Sequence, residues 1–293
     1  MARRFTLCAI PWRMCRKLCL FLCLLTAPLP TEAAGHPRII ALHGALAEMV
    51  LALGRGDLLV ARTEADAEIL PQLPSIGTHL RPNLEAILAL HPDVVLTLED
   101  APHPELCALL QAAGIRTLAL PGQSFADLFA SLRRLGRELD AEAQAEAQVQ
   151  AMERTLAAVA AASAARRPRV LVELRYPNLV VSGTASIVHH MILAAGGENA
   201  VTAPEKIVRL SEEELLRLAP EVCVILRGPM HPNPDPLPER GPIFASLPCV
   251  RRGLVFQAEQ AAFSRPTPRA VAATQQLAAW IQHAARVLEH GEP

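Results

Sequence analysis

The sequence predicts an α/β protein of two lobes bridged by a long helix, and three observations carry that prediction. Residues 83–96, NLEAILALHPDVVL, are rewritten 128 positions later as residues 211–224, SEEELLRLAPEVCV. Apolar strand-like runs alternate with amphipathic helical stretches on both sides of the middle, a rhythm that implies mainly parallel sheets. Between the two halves lies an Ala/Glu/Gln-rich helical stretch, residues 141–165, without sheet signals. A unit repeated at so wide a spacing points to two similar lobes, because solenoid periods are ~20–50 residues.

Each copy of the repeat reads as an N-cap (Asn83, Ser211), two turns of helix, a proline stop (Pro92, Pro220) and a buried strand. Glu85 and Glu213 fall at the second helical position of the two copies. Free backbone N–H groups and the helix dipole favour negative charge there by ~0.3–1 kcal/mol. One copy alone would be a stabilised helix start. Two equivalent acids also fit a symmetric partner bearing arginines.

The chain has 293 residues, 51% hydrophobic, 19% charged and 3% aromatic, which suits two folded domains and excludes a disordered composition. Residues 1–34 read as an export signal: Arg13, Arg16 and Lys17 precede the apolar run 18–27, and Ala33 and Ala34 supply small residues for cleavage. Met14 is an alternative start to Met1. Leu22 before Cys23 is bulky where a lipoprotein signal needs a small residue, so the reading is export without lipidation. Removing the five bases and one acid of residues 1–34 from totals of 28 and 29 leaves 23 and 28, a balance of −5. No basic stripe argues for nucleic acid. Four of the seven cysteines lie in this leader. Cys107, Cys223 and Cys249 remain, with Cys223 read as core and a Cys107–Cys249 bridge left open.

Beyond the leader, strands are expected at 38–42, 58–61, 94–98 and 115–120, and helices at 45–54, 84–91 and 104–113. Ser124 caps a helix over 125–137, and Asp140 is taken to cap the 25-residue helix 141–165, whose span of roughly 37 Å suits a strut between lobes. The second lobe repeats the plan: strands at 169–174, 179–182, 222–226 and 253–257, helices at 185–195 and 267–288, and a stiff proline-rich loop at 227–241. The division is a leader at 1–34, an α/β lobe at 35–122, a helical linker at 123–167 and a second α/β lobe at 168–293.

Five stretches in order, RIIALHGALAEMVLALG, IGTHLRPNLEAILALHPDVVL, VVSGTASIVHHMILAAGGENAV, LSEEELLRLAPEVCVIL and RPTPRAVAATQQL, resemble the periplasmic substrate-binding proteins of ABC importers for cobalamin, haem and iron siderophores. The likeness covers nearly all of residues 36–288. It implies two Rossmann-like lobes joined by a long rigid α-helix, with a ligand cleft between them. It implies a monomer in the periplasm that delivers a small metal chelate to a permease dimer with its ATPase subunits. It also implies that Glu85 and Glu213 are the acids that dock on permease arginines.

Ligands of such proteins lie at the carboxyl ends of the strands. The candidate contacts there are His43, His79, Tyr176, His231, Phe263 and Arg265. His79 stands where resembling siderophore and cobalamin binders place a ligand-contacting arginine or tryptophan. Tyr176 stands where haem binders can place an iron ligand. Phe263 and Arg265 match a stretch that lines the cleft in cobalamin binders. Imidazole and phenolate both bind iron, so a His79–Tyr176 pair is expected to clamp one metal centre. The remaining histidines, His103, His189 and His190 among them, read as surface or satisfied core residues.

Thr78 replaces a tyrosine common in haem binders, and the pocket stretches lack the tryptophans expected of cobalamin binders. Iron chelates, siderophore or haem, therefore rank ahead of cobalamin, with no cofactor of the protein's own. The alternative is a zinc or manganese receptor using His43, His79, His231 and Glu99. A secreted metal-dependent hydrolase is the rival from another class, but no HExxH, GxSxG or P-loop motif appears, so no enzyme is expected. A carrier without a transporter would leave Glu85 and Glu213 without a purpose.

Overall fold

The computed structural model describes residues 36–229 and 231–290. The expected leader, its start codon and its cleavage site lie outside the described residues.

The first lobe begins with β1 (Ile39–Ala41), α1 (Gly44–Ala52) and β2 (Leu59–Ala61). A short hairpin, β3 (Gly77–Thr78) and β4 (Arg81–Pro82), leads into α2 (Leu84–Ala89), the helix of the first repeat copy. Then come β5 (Val94–Leu98), α3 (Pro104–Ala112) and β6 (Arg116–Leu120). The four longer strands form one parallel sheet in the order β2-β1-β5-β6. Helices cover both faces, which is why β5 is buried at every position, Thr97 included, rather than at alternate ones. Ile39, Ala41, Val94, Leu96 and Leu98 point to one core, while Ile40, Leu42 and Val95 join Ile87 and Leu110 in a second on the opposite face.

Two helices follow, α4 (Phe125–Glu138) and α5 (Glu142–Ala161). Ser124 and Asp127 form a capping box at the start of α4. The expected cap of α5 is corrected. Asp140 takes a left-handed backbone (φ 50°) in the turn between the helices, and Ala141 occupies the N-cap. The carbonyl of Asp140 instead accepts from Arg55 at 2.7 Å. The helix has 20 residues, so it spans about 30 Å rather than 37 Å. Gly136 lets α4 and α5 approach, since a Cβ there would lie 2.7 Å from that of Ala145.

The second lobe contains β7 (Arg169–Arg175), β8 (Val180–Ser182), α6 (Ile187–Ala194), β9 (Glu198–Asn199) and β10 (Ile207–Arg209). Next are α7 (Glu212–Leu218), the second repeat copy, and β11 (Val222–Arg227). The chain closes with α8 (Pro242–Ala245), α9 (Pro248–Arg251), β12 (Val255–Glu259), α10 (Gln260–Ser264) and α11 (Pro268–His290). The sheet runs β10-β8-β7-β11-β12, with β9 also on β7. Strands β7, β11 and β12 are parallel, while β8 and β10 form an antiparallel edge. That edge has no counterpart in the first lobe. The long helix α5 packs on α4 on one side and on α11 and α6 on the other, and one apolar core runs from the first sheet beneath it to Val170, Val172 and Ile281.

The two repeat copies occupy equivalent places: β5 lies between β1 and β6, and β11 between β7 and β12. The likeness extends to a clasp. The backbone N–H of Arg38 donates to Asp93 (2.7 Å), and that of Arg169 donates to Glu221 (3.0 Å). Their guanidinium groups donate to the carboxyl ends of the repeat helices, Arg38 to Leu90 (2.8 Å) and His91 (3.2 Å), and Arg169 to Ala219 (2.9 Å). In both copies the residue before the proline, His91 or Ala219, is left-handed (φ 46° and 43°). His91 is thus a turn residue.

One cysteine pairing is corrected. Cys223 on β11 is disulfide-bonded to Cys249 on α9, with Cα atoms 5.8 Å apart, and Cys107 is free and half-buried. The Leu254 carbonyl accepts from Cys223 N–H and the Pro220 carbonyl from Cys249 N–H, which seats α9 beside the strand.

Candidate functional site

The carboxyl ends of the first sheet bring together side chains that are far apart in sequence. His43 follows β1 and caps α1, its Nδ1 accepting from the Ala45 N–H at 3.1 Å. That hydrogen bond leaves the proton of the neutral ring on Nε2. His79, in the β3–β4 hairpin, meets His43 edge-on with ring centroids 5.3 Å apart. His103, just before α3, donates from Nε2 to the His79 carbonyl at 2.6 Å. Burial pushes His43 down to about 3, and the charges it would share with His79, Arg265 and Lys206 act the same way, against a weaker pull from Asp100. His79 is also held below the ordinary imidazole value, by burial first and then by Arg265 and His103. Both rings are neutral donors or acceptors at neutral pH.

Asp100 follows β5 and Lys206 precedes β10, so their 2.9 Å ion pair spans from one sheet to the other. Burial alone would raise the Asp100 carboxyl, but Lys206 and a hydrogen bond from Gln123 outweigh it, and the carboxyl sits below its usual value.

Arg265, expected to touch ligand, is occupied. Its Nη1 donates to Glu48 (2.8 Å) and Asp66 (3.2 Å) of the first lobe, whose side chains are 8% and 0% exposed. Arg269 adds a 3.7 Å contact to Glu48, and the Thr63 hydroxyl donates to Asp66 at 2.5 Å. Gly44 leaves room for this pair, because a Cβ there would lie against Asp66 Oδ1 and 2.5 Å from Arg265 Nη1 and displace them. Arg265 thus ties the two lobes through Nη1. Phe263, also expected at the ligand, is corrected: it is 1% exposed and stacked on Trp280, which stacks on Phe256, so it belongs to the core.

Tyr176 lies just past β7, half-buried. Its ring meets Phe244 edge-on at 5.7 Å, and the Arg240 guanidinium sits over it at 4.2 Å. Arg240 is paired with Glu173 at 2.6 Å, both side chains 1% exposed. His231 is buried in the 228–241 strap, its backbone bridged to Gly228 and its Nδ1 without a hydrogen-bond partner. Tyr176 and His79 have separate neighbours, and no ring contact joins them among the described residues. The zinc or manganese set of His43, His79, His231 and Glu99 does not assemble: among the described residues no three His, Cys, Asp or Glu side chains converge to hold a metal ion.

Three histidines set aside on sequence grounds lie near these groups or near α4. His103 is one. His189 and His190, on α6, have ring centroids 5.4 Å apart and are both held low by burial. His190 also feels Asp127 in the first turn of α4. Their HH dipeptide after Ser186 was the only sequence signal. Glu85 and Glu213 are exposed at the second positions of α2 and α7, with no ion pair to either among the described residues.

Two parallel-cored lobes with polar side chains gathered at their strand ends define a solute-binding class of protein. The chain belongs to the periplasmic binding protein family, whose model matches residues 39–262. It is 26% identical over 266 residues to a vitamin B12-binding protein of Pectobacterium carotovorum, covering 88% of this chain and 93% of that one. Among solved structures it is similar to the periplasmic haem-binding protein of Roseiflexus sp. RS-1 (26% identity, TM-score 0.74, 86% of this chain and 100% of that one). It is also similar to an ABC-type Fe3+-hydroxamate transport protein of Saccharomonospora viridis (25% identity, TM-score 0.67, 84% and 93%).

Proposed function

We propose that the protein is the solute-binding component of an ABC importer, capturing a metal chelate in the cleft and delivering it to a membrane permease. The observation that carries this reading is a periplasmic binding family match spanning both sheets, with relatives named for vitamin B12, haem and Fe3+-hydroxamate. All three ligands are metal chelates. The leader at residues 1–34 would place it in the periplasm, and ATP would be hydrolysed by other subunits. The lobes divide at residues 35–122, 123–167 and 168–293.

An iron chelate, haem or siderophore, ranks ahead of cobalamin. Neutral imidazoles gather at the strand ends, and Trp280, which could have stacked on a corrin, is instead taken up by Phe256 and Phe263. His79 and His43 are the first-lobe contacts, and Tyr176 and His231 the second-lobe ones. Glu85 and Glu213 dock on arginines of the permease. Native mass spectrometry with an absorption spectrum, on protein taken from its own periplasm, tests the reading. A bound iron chelate is expected. Absence of any bound chelate, with no uptake of haemin, ferrioxamine B or cyanocobalamin on titration, would overturn it.

A further inference from the structure

The charged groups between the lobes fall into two kinds. Arg265 neutralises two buried carboxylates through Nη1. Lys206 and Asp100 are different: their side chains are 41% and 28% exposed. A pair this accessible adds little to the stability of a fold, so it is cheaply exchanged.

The pair thus offers, between the two sheets, an ammonium whose ion-pair partner can be replaced.

We propose that Lys206 reads a carboxylate on the ligand and that Asp100 is its built-in competitor, so that the chelate taken up is an acid. The inference rests on the metal-chelate reading above and narrows it. On binding, the ligand carboxylate replaces Asp100 at the Lys206 ammonium, and the partly exposed Asp100 turns to solvent. Asp100 therefore sets a threshold: neutral chelates gain nothing by breaking the pair, and acids gain a charged hydrogen bond.

The test is equilibrium titration of the mature protein with four probes: haemin, which carries two carboxylates, haemin dimethyl ester, which has none, cyanocobalamin and ferrioxamine B. Lys206→Met should weaken haemin binding about tenfold or more, the order of one charged hydrogen bond. Asp100→Asn should tighten it about threefold or more by freeing Lys206. The dimethyl ester should bind the wild type more weakly than haemin and respond to neither change. Circular dichroism melts of both variants, expected within a few degrees of wild type, establish that the effect is local. Equal binding of haemin and its ester, Lys206→Met at wild-type affinity, or tight binding restricted to cyanocobalamin or ferrioxamine B would overturn the inference while leaving the transport reading in place. Wild type that binds none of the four would overturn both.

Discussion

A histidine that refuses a proton makes the fold sensitive to acid, and His43 is the clearest case. Its folded value is about 3, against 6.5 for an ordinary imidazole. Between these limits the unfolded chain binds a proton at this position and the native protein does not. Unfolding free energy then rises with pH, so stability is lost as pH falls through 6.5 toward 3. Each pH unit well inside the window is worth about 1.36 kcal/mol, and going from pH 7.5 to 4.5 integrates to about 2.7 kcal/mol. Solvent at the ring edge trims this, so a loss of about 1.5–2.7 kcal/mol is expected. The control is His43→Asn, because asparagine is a good N-cap and can still accept from the Ala45 N–H. Urea unfolding at 25 °C at pH 7.5, 6.5, 5.5 and 4.5, followed by circular dichroism, gives both curves. The carboxylates common to the two proteins cancel in the difference. Wild type should lose more than the variant by the stated amount. Parallel curves, agreeing within ~0.5 kcal/mol after offset, would refute the argument that the site holds this ring neutral.

Three other outcomes follow from the geometry. Arg265→Ala strands Glu48 and Asp66 in a buried site; a destabilisation of about 3–5 kcal/mol is expected in a urea melt, and a value under 1 would show that the tie is idle. Reducing or replacing the Cys223–Cys249 bridge, which closes a separation of 26 residues, should cost about 2–4 kcal/mol, read as a lower denaturant midpoint. Glu85→Ala with Glu213→Ala should leave ligand affinity unchanged and shift stability by no more than ~1 kcal/mol per site, while stimulation of permease-linked ATPase in proteoliposomes falls. Full stimulation by the double variant would remove the docking assignment.

What could be read from the chain alone was whatever obeys a local rule. Residues 94–98 and 222–226 are strands because runs rich in β-branched residues and leucine suit a sheet covered on both faces. Ser124 and Ser211 were visible as caps because a serine stands just before each helical run, and in the structure a carboxylate three residues on completes the box. The failures are places where tertiary contacts decide. Asp140 looked like a cap, but Arg55, 85 positions away, fixes its carbonyl in a turn. Ile207–Arg209 is three residues with little burial, too short for periodicity to mark as a strand. Cys223 sat in an apolar run and read as core, and it is buried; its bond to Cys249 depends on where α9 lands. At the site, His43 and His79 were found from their strand-end positions. Arg265 and Phe263 kept their place in the motif but spend their side chains on Glu48, Asp66 and Trp280. His103 was passed over because nothing local distinguishes it; its neighbour is a backbone carbonyl 24 residues away.

The paired clasps of Arg38 and Arg169 have a mechanical consequence. Each short helix is nailed at its rear to the strand beside it, by a guanidinium and a carboxylate that share one arginine. Its front end cannot pivot unless the whole sheet turns with it. The two front ends therefore behave like the points of a caliper, each rigid on its own arm. Any surface that touches both points at once measures the angle between the arms, and needs no contact with the cargo to do so.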